Sequence, residues 1–278
     1  RAIAKSTKMI DKHSMRFKVK GKLVEYNKMI DDCYLLLGQA QFFKMQYDSA
    51  ENTFRYLLAH FETSPIFYDV QLELIKTLIY QENFVDAETK FKAIEEDENF
   101  NEKLRAEHDL LRGLYYINTE DNKLAIEFLE KAVDDVKGHR LKVRVKYILA
   151  QLYNEDGQLN KASPLFEEVS KKAVFYEMEF NAKLSLAKTH QGKGSEKIVG
   201  ILNKMLKDNK NKDFQDQIYF TLAQVYERNG NEELAVKNYK LSAQKSVNNP
   251  KQKALSYLAV ANYYFKIPEY MEAQMFYD

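Results

Sequence analysis

The 278-residue chain has no tryptophan, one cysteine, four prolines and nine glycines. With Cys33 as its single cysteine, the chain cannot form an intramolecular disulfide, so cysteine usage does not indicate a compartment. So few turn-forming residues argue against a β-sandwich or barrel, which needs a tight turn about every ten residues. No apolar run approaches the roughly 20 residues of a membrane-spanning helix, and no secretory signal peptide is visible.

The charges that are present nearly cancel, because 42 Lys and Arg residues face 41 Asp and Glu residues. This balance gives no whole-protein field that would favour nucleic acid as a partner. Hydrophobic residues make up 45% of the chain, which is enough to bury a large core and argues against disorder.

An internal repeat is the strongest signal in the sequence. The stretches LAQLYNEDGQLNKASPLF and LAQVYERNGNEELAVKNY share a leucine, alanine, glutamine and tyrosine, a following glycine, and an alanine five positions later. That alanine slot recurs at steps of 37, 38, 37, 37, 36 and 38 residues, a spacing typical of helical repeat arrays. The slot is occupied by Ala50, Ala87, Ala125, Ala162, Val199 (by interpolation), Ala235 and Ala273.

Each alanine slot has a second small residue twelve positions upstream, with Ile75 as the exception. A large residue, usually aromatic, follows the slot after four positions. The small upstream residues are Gly38, Gly113, Ala150, Ala187, Ala223 and Ala261; the large residues are Phe54, Phe91, Leu129, Phe166, Tyr239 and Tyr277.

Small and large residues at helical spacing predict two antiparallel helices, A and B, that pack closely through Gly and Ala. One such hairpin cannot bury its own apolar face, so neighbouring hairpins stack. The sequence therefore predicts an all-α protein, a right-handed α-solenoid of about seven tetratricopeptide-like hairpins. Pro164 falls early in a helix B, where proline is acceptable only near the first turn.

The array is predicted to cover residues 31–278, after an N-terminal helix or connector over residues 1–30 that does not follow the repeat. The last repeat breaks off within helix B, so we expect a fragment with further repeats beyond it. The predicted repeats are 31–65, 66–103, 104–140, 141–176, 177–212, 213–250 and 251–278.

No constellation of residues predicts catalysis, a metal site or a cofactor. The five histidines lack metal-ligand spacing. The stretch GKGSEK lacks the spacing of a phosphate-binding loop and indicates a polar turn. The acidic run AIEEDENFNEK indicates a solvated surface, and Cys33 a small apolar residue rather than a nucleophile.

Two basic segments leave alternatives open. The first 30 residues hold nine Lys and Arg against two Asp and Glu, which fits either a connector or a basic arm for an anionic partner. The lysine-rich stretch NKMLKDNKNKDFQ lies where the repeat is weakest. It is either a tolerated irregularity or a contact with a partner.

Helical arrays of this kind usually bind partners on the concave face, which helix A lines. The lining predicted here mixes amides and aromatics and lacks the repeated Lys and Asn that would form a carboxylate clamp. The predicted partner-binding residues are Gln39, Phe42, Lys76, Leu114, Tyr147, Gln151, Asn154, Phe220, Gln224, Glu227, Asn262 and Phe265.

The N-terminal segment KHSMRFKVKGKLVEYNKMIDDCYLLLGQAQFFKMQYDSA resembles the start of the large tetratricopeptide lipoproteins of type IX secretion and gliding motility, the PorW/SprE family. Met29 stands where that family has an aromatic, and Cys33 lies inside a predicted helix, so it does not match the lipid-carrying cysteine. The matching motif consists of His13, Ser14, Met15, Glu25, Tyr26, Asn27, Asp31, Asp32 and Tyr34, followed by Gly38, Tyr47 and Ala50.

The resemblance implies a non-enzymatic periplasmic scaffold, held at the inner leaflet of the outer membrane by a lipid anchor outside this chain. Its implied partners are the outer-membrane translocon and periplasmic secretion components, and nucleic acid is not among them. The alternative function is a soluble tetratricopeptide adaptor or co-chaperone that binds peptides in its concave groove. A third hypothesis is that the chain is an accessory domain of an enzyme.

Overall fold

A computed structural model describes residues 1–19, 22–27, 29–190 and 195–278. Gly192 and the first half of the GKGSEK stretch lie outside the described residues. The backbone contacts divide the chain into two compact units, Arg1–Lys137 and Gly138–Asp278. Within the described residues, helices dominate both units and form seven consecutive hairpins, so the predicted all-α solenoid of tetratricopeptide-like hairpins is confirmed.

Unit 1 opens with a helix and a β-hairpin before its three helical hairpins begin. The N-terminal helix, Ala2–His13, packs against the first helix of the first hairpin, Ile30–Phe43. The antiparallel strands pair Arg16 with Glu25 and Phe17 with Val24. The β-hairpin is a local departure from the all-α prediction, in a stretch that alternates basic and apolar residues. The elements are α1 (Ala2–His13), β1 (Arg16–Val19), β2 (Lys22–Glu25), α2 (Ile30–Phe43), α3 (Tyr47–His60), α4 (Phe67–Tyr80), α5 (Phe84–Glu95), α6 (Arg105–Asn118) and α7 (Asn122–Ala132).

Unit 2 holds four helical hairpins. In the fourth of them Pro250 is the first residue of helix A, where its missing N–H costs nothing. Pro164 is the sixth residue of its helix and exposed, so the carbonyl that it leaves without a backbone donor can face water. The elements are α8 (His139–Glu155), α9 (Leu159–Lys172), α10 (Tyr176–Thr189), α11 (Ser195–Lys207), α12 (Gln215–Arg228), α13 (Glu232–Lys245), α14 (Pro250–Lys266) and α15 (Tyr270–Tyr277).

The predicted small residues lie buried between helices A and B. A Cβ atom added to Gly38 would lie 2.4 Å from the Phe54 ring, and one added to Gly113 would lie 2.6 Å from Leu129. Glycine is thus required at both positions by the close approach of a large side chain. The alanines of the repeat, also buried, are Ala50, Ala87, Ala125, Ala150, Ala162, Ala187, Ala223, Ala235, Ala261 and Ala273.

The interpolated slot in the fifth hairpin is wrong by one residue. Helix α11 buries Ile198, Leu202 and Met205, whereas Val199 is only half-buried. The other B helices bury the same pattern of positions i, i+4 and i+7, for example Ala162, Phe166 and Val169 in α9. Ile198 therefore occupies the alanine slot, and this hairpin has a large residue where the others have a small one.

Candidate interaction faces on the A helices

The A helices of unit 1 bring three predicted residues together with one that the sequence reasoning left out. Gln39 Nε2 donates a hydrogen bond of 2.9 Å to Glu73 Oε1, and the Lys76 ammonium forms an ion pair with Glu73 Oε2. Lys76 Nζ also lies 4.8 Å from the centroid of the Phe42 ring, within cation–π range. Gln39, Phe42, Glu73 and Lys76 therefore form one contact network across α2 and α4.

Aromatic side chains continue this face toward the ends of α2 and α4. The Phe42 ring lies 5.0 Å from the Tyr80 ring, 5.4 Å from the Tyr47 ring and 5.8 Å from the Phe43 ring. Phe42 itself is buried, but Phe43 is 78% exposed, Tyr80 51% and the neighbouring Met45 77%. We call Phe43, Met45 and Tyr80 the aromatic patch.

Carboxylates occupy the opposite end of the unit 1 A helices. Burial raises the pKa of Asp69, and the negative charge of Glu73 raises it further. The Asp69 backbone N–H and the positive charge of Lys137 partly oppose this shift. Glu107 keeps an accessible side chain. The protein packed around Glu107 nevertheless removes enough water to raise its pKa, and the charges of Glu73 and Asp69 add to this shift. Three carboxylates, Asp69, Glu73 and Glu107, thus share this region with two lysines, Lys76 and Lys137.

In the first hairpin of unit 2, the predicted residues extend from half-buried to exposed positions. Tyr147 packs against Phe166 at a ring-centroid distance of 6.0 Å, and burial raises the pKa of its hydroxyl. Gln151 and Asn154 are exposed further along α8. These two side chains are free to meet a partner.

Further along unit 2, most predicted residues already have intramolecular partners. Glu227 Oε2 accepts a hydrogen bond of 2.7 Å from the hydroxyl of Tyr239, whose ring lies 5.2 Å from Phe220. Burial and then Glu227 raise the pKa of Tyr239. Asn262 Oδ1 accepts a bond of 2.7 Å from Tyr277.

Other unit 2 residues are less satisfied or carry positive charge. Gln224 Oε1 is buried without a hydrogen-bond partner among the described residues, and Phe265 is exposed. Burial lowers the pKa of Lys188. The Arg228 guanidinium donates to the carbonyls of Ala187 and Lys188 at the end of α10. Lys188 and Arg228 thus add positive charge to the A helices of unit 2, beside Glu227.

The two halves of the N-terminal motif meet in the β-hairpin region. Glu25 accepts hydrogen bonds from the Ser14 hydroxyl at 2.5 Å and from the backbone N–H groups of Met15 and Asn27 at 2.7 and 3.0 Å. The Asn27 amide in turn donates to the His13 carbonyl at 3.0 Å. Burial opposes ionisation of Glu25, but these bonds outweigh it and hold its pKa below the usual value.

Other motif residues fix neighbouring loops. The backbone N–H of Tyr26 donates to the Met15 carbonyl at 2.9 Å. Asp31 accepts a hydrogen bond of 2.5 Å from Ser64, in the loop before the next hairpin, and the N–H of the half-buried Asp32 donates to the Asp31 carboxylate. Asp216 does the same in unit 2, where it accepts from Ser246 and Asn249. These aspartates tie helix A to the following loop.

A buried charge network in unit 1 was missed by the sequence reasoning. Arg112, only 3% exposed, donates to both carboxylate oxygens of Glu95 at 2.8 Å and to Glu88, and its guanidinium lies 4.2 Å from the Phe91 ring. The acidic run around Glu95 is therefore partly structural rather than only solvated. The available signal was Arg112 itself, which stands in a slot that other repeats fill with Leu37, Leu74, Leu149, Leu186, Leu222 and Val260.

No group of three or more His, Cys, Asp and Glu side chains in the described residues is placed to hold a metal ion. No described helix is both long and apolar enough to cross a membrane.

Comparison with known proteins agrees with the fold. The family model for the tetratricopeptide repeat matches residues 110–134 and 216–244, which lie in the third and sixth hairpins. The chain therefore contains tetratricopeptide repeats. A search of curated proteins finds no match.

Solved structures show the same architecture at low sequence identity. The apo form of RapI has a TM-score of 0.62 and 14% identity, over 89% of this chain and 74% of RapI. The apo form of the quorum sensor NprR from B. thuringiensis has a TM-score of 0.57 and 14% identity, over 88% of this chain and 73% of NprR. At these identities the likeness concerns the fold alone.

Proposed function

We propose that the chain is a non-enzymatic protein-interaction scaffold. The observation that carries the proposal is the surface formed by the A helices of each unit, which we call its A face. Each A face presents amide, aromatic and charged side chains on rigid helices. Stacked hairpins supply a large surface through contacts between neighbours only, which suits a protein that holds other proteins.

The proposed setting is the periplasm, at the inner leaflet of the outer membrane, where the chain would link a type IX translocon to periplasmic ring and motor parts. The resemblance of the N-terminal motif to the PorW/SprE family supports this setting. The mutual contacts of Ser14, Met15, Glu25 and Asn27 support reading the motif as one structural unit. A lipid anchor would have to lie outside this chain.

The test is affinity purification of the full-length protein from gently solubilised membranes of its source, with mass spectrometry of what is recovered. The scaffold proposal expects a large outer-membrane barrel together with periplasmic lipoproteins. A tagged, unrelated outer-membrane lipoprotein serves as the matched control. Recovery of soluble chaperones without any membrane component would contradict the secretion setting.

The second candidate is a soluble adaptor or co-chaperone that binds peptides on its A helices. The exposed aromatic patch favours this alternative, since large exposed side chains on one face mark docking sites. It predicts binding of isolated peptides by the purified chain without membrane components.

A further inference from the structure

Two of the three residues of the aromatic patch, Phe43 and Tyr80, are joined through a buried ring. Phe43 and Tyr80 both contact the ring of the buried Phe42, at 5.8 and 5.0 Å, and so belong to one cluster. Rings of this kind offer a large apolar area with little side-chain entropy to lose. The patch is therefore suited to receive a large apolar side chain of a partner.

Helix α4 connects the aromatic patch to the carboxylates. Asp69, Glu73, Lys76 and Tyr80 follow one another at spacings of four, three and four residues, so they share one face of the helix. Tyr80 lies eleven positions after Asp69, a distance of about 16 Å along the helix at a rise of 1.5 Å per residue. The face thus has an apolar end and an acidic end at a defined separation.

The acidic end carries uncompensated negative charge. Glu73 is already paired with Lys76 and Gln39. Asp69 and Glu107 have no ion pair among the described contacts, so three carboxylates at this end, Asp69, Glu73 and Glu107, face two lysines in reach, Lys76 and Lys137. A positive group from a partner would relieve this excess.

We infer that the unit 1 A face binds a cationic peptide segment, with a large apolar side chain on the aromatic patch and a Lys or Arg between Asp69 and Glu107. An extended chain advances about 3.3 Å per residue and alternates its side chains between two faces. The two side chains would therefore be four residues apart, a spacing that places them on one face, and the long Lys or Arg side chain would cover the remaining distance. The inference rests on the proposed interaction function and specifies the partner's chemistry. An acidic segment is excluded by the same charges.

The test is fluorescence anisotropy with the full chain and a labelled, end-capped synthetic peptide of Gly and Ser that carries one Phe and one Arg four residues apart. Matched peptides replace Arg by Glu, replace Phe by Ser, or place the two residues two positions apart. We expect each change to weaken binding by roughly tenfold or more. Raising the salt from 0.1 to 1 M shortens the Debye length from about 10 to 3 Å and should weaken the parent peptide most.

Protein variants locate the site. Glu107→Gln and Phe43→Ala, both at accessible positions, should each weaken binding of the parent peptide by about tenfold. Glu62→Gln removes a charge from an exposed loop residue off the A helices and should leave binding unchanged. Circular dichroism checks that each variant folds.

Several results would overturn the inference: equal binding of the Arg→Glu peptide, no effect of Glu107→Gln and Phe43→Ala, or no binding of any peptide at about 1 mM. The membrane purification separates this failure from failure of the scaffold proposal. If secretion components are still recovered with the Phe43→Ala chain, only the peptide inference is lost. If the peptide binds as expected but no secretion component is recovered, the inference stands and the secretion setting fails.

Discussion

The first and fifth hairpins follow the same repeat but pack differently. In the first, Gly38 lies so close to Phe54 that an added Cβ would be 2.4 Å from the ring. In the fifth, Ile198 takes the slot of an alanine, and α10 and α11 come together less closely than the other hairpin pairs, among the described residues. A cavity of about 230 Å³ lies beside this hairpin, lined in part by Phe180 and Met205.

The difference shows what the small residues do. The distance between packed helices depends on the side chains at their contact, so a large residue at either slot separates them. The second hairpin agrees, because it has Ile75 in the upstream slot and its helices are the next most loosely paired. The repeat length sets the order of helices, whereas the slot residues set how tightly each pair closes.

The largest expected loss of stability comes from removing the Phe54 ring, which fills the contact between the two helices of the first hairpin. Phe54 is fully buried, and Phe54→Ala should lower the free energy of unfolding by about 3–5 kcal/mol through lost burial and a cavity. Urea denaturation followed by circular dichroism measures the change. Val199→Ala, at a half-buried position in the loose hairpin, is the control and should cost clearly less; equal losses would remove the distinction between the two hairpins.

Adding one methyl group at Gly38, in the helix contact of the first hairpin, should also destabilise the protein. Gly38→Ala gains about 1 kcal/mol of helix propensity but overpacks the Phe54 ring at a cost of about 1–3 kcal/mol. We expect a net loss of about 1 kcal/mol in the same urea experiment. A stabilised variant would show that the ring moves aside freely and that the close approach does not require glycine.

The looser packing of the fifth hairpin should appear in amide hydrogen exchange. Local opening is easiest where few buried contacts hold an element. We expect amides in α11 near Ile198 to exchange roughly tenfold faster than those in α7 near Ala125, a difference of about 1.4 kcal/mol. Comparable protection in both helices would contradict the link between slot residue and local stability.

The repeat could be predicted from sequence because its signal is periodic. Small residues at helical spacing, such as Gly113 and Ala125, indicate a close contact between two helices. The seven hairpins can therefore be predicted from their positions. The register of α11 cannot, since Ile198 and Val199 are both apolar and only packing selects between them. The pairing of Arg16–Val19 with Lys22–Glu25 does not follow from the sequence, since basic side chains that alternate with apolar ones also fit a solvated connector.

The interaction face was only partly predictable. Gln39, Phe42 and Lys76 were counted from the repeat, but Glu73, which joins them, faces the preceding hairpin and is outside the usual lining positions. Arg112 was missed because a buried charge needs partners from another helix, here Glu88 and Glu95 of α5, and sequence does not show which helices meet.

The smallest effect reverses the sign of the Gly38 experiment. Gly200 lies within α11, and an added Cβ would meet no atom within 4 Å. Gly200→Ala should therefore stabilise the chain by about 0.5–1 kcal/mol, through helix propensity alone. The same substitution in a tight and a loose hairpin then gives opposite changes in the urea midpoint. A loss of stability at Gly200 would mean that α11 is more closely packed than its slot residue implies, and the comparison would fail.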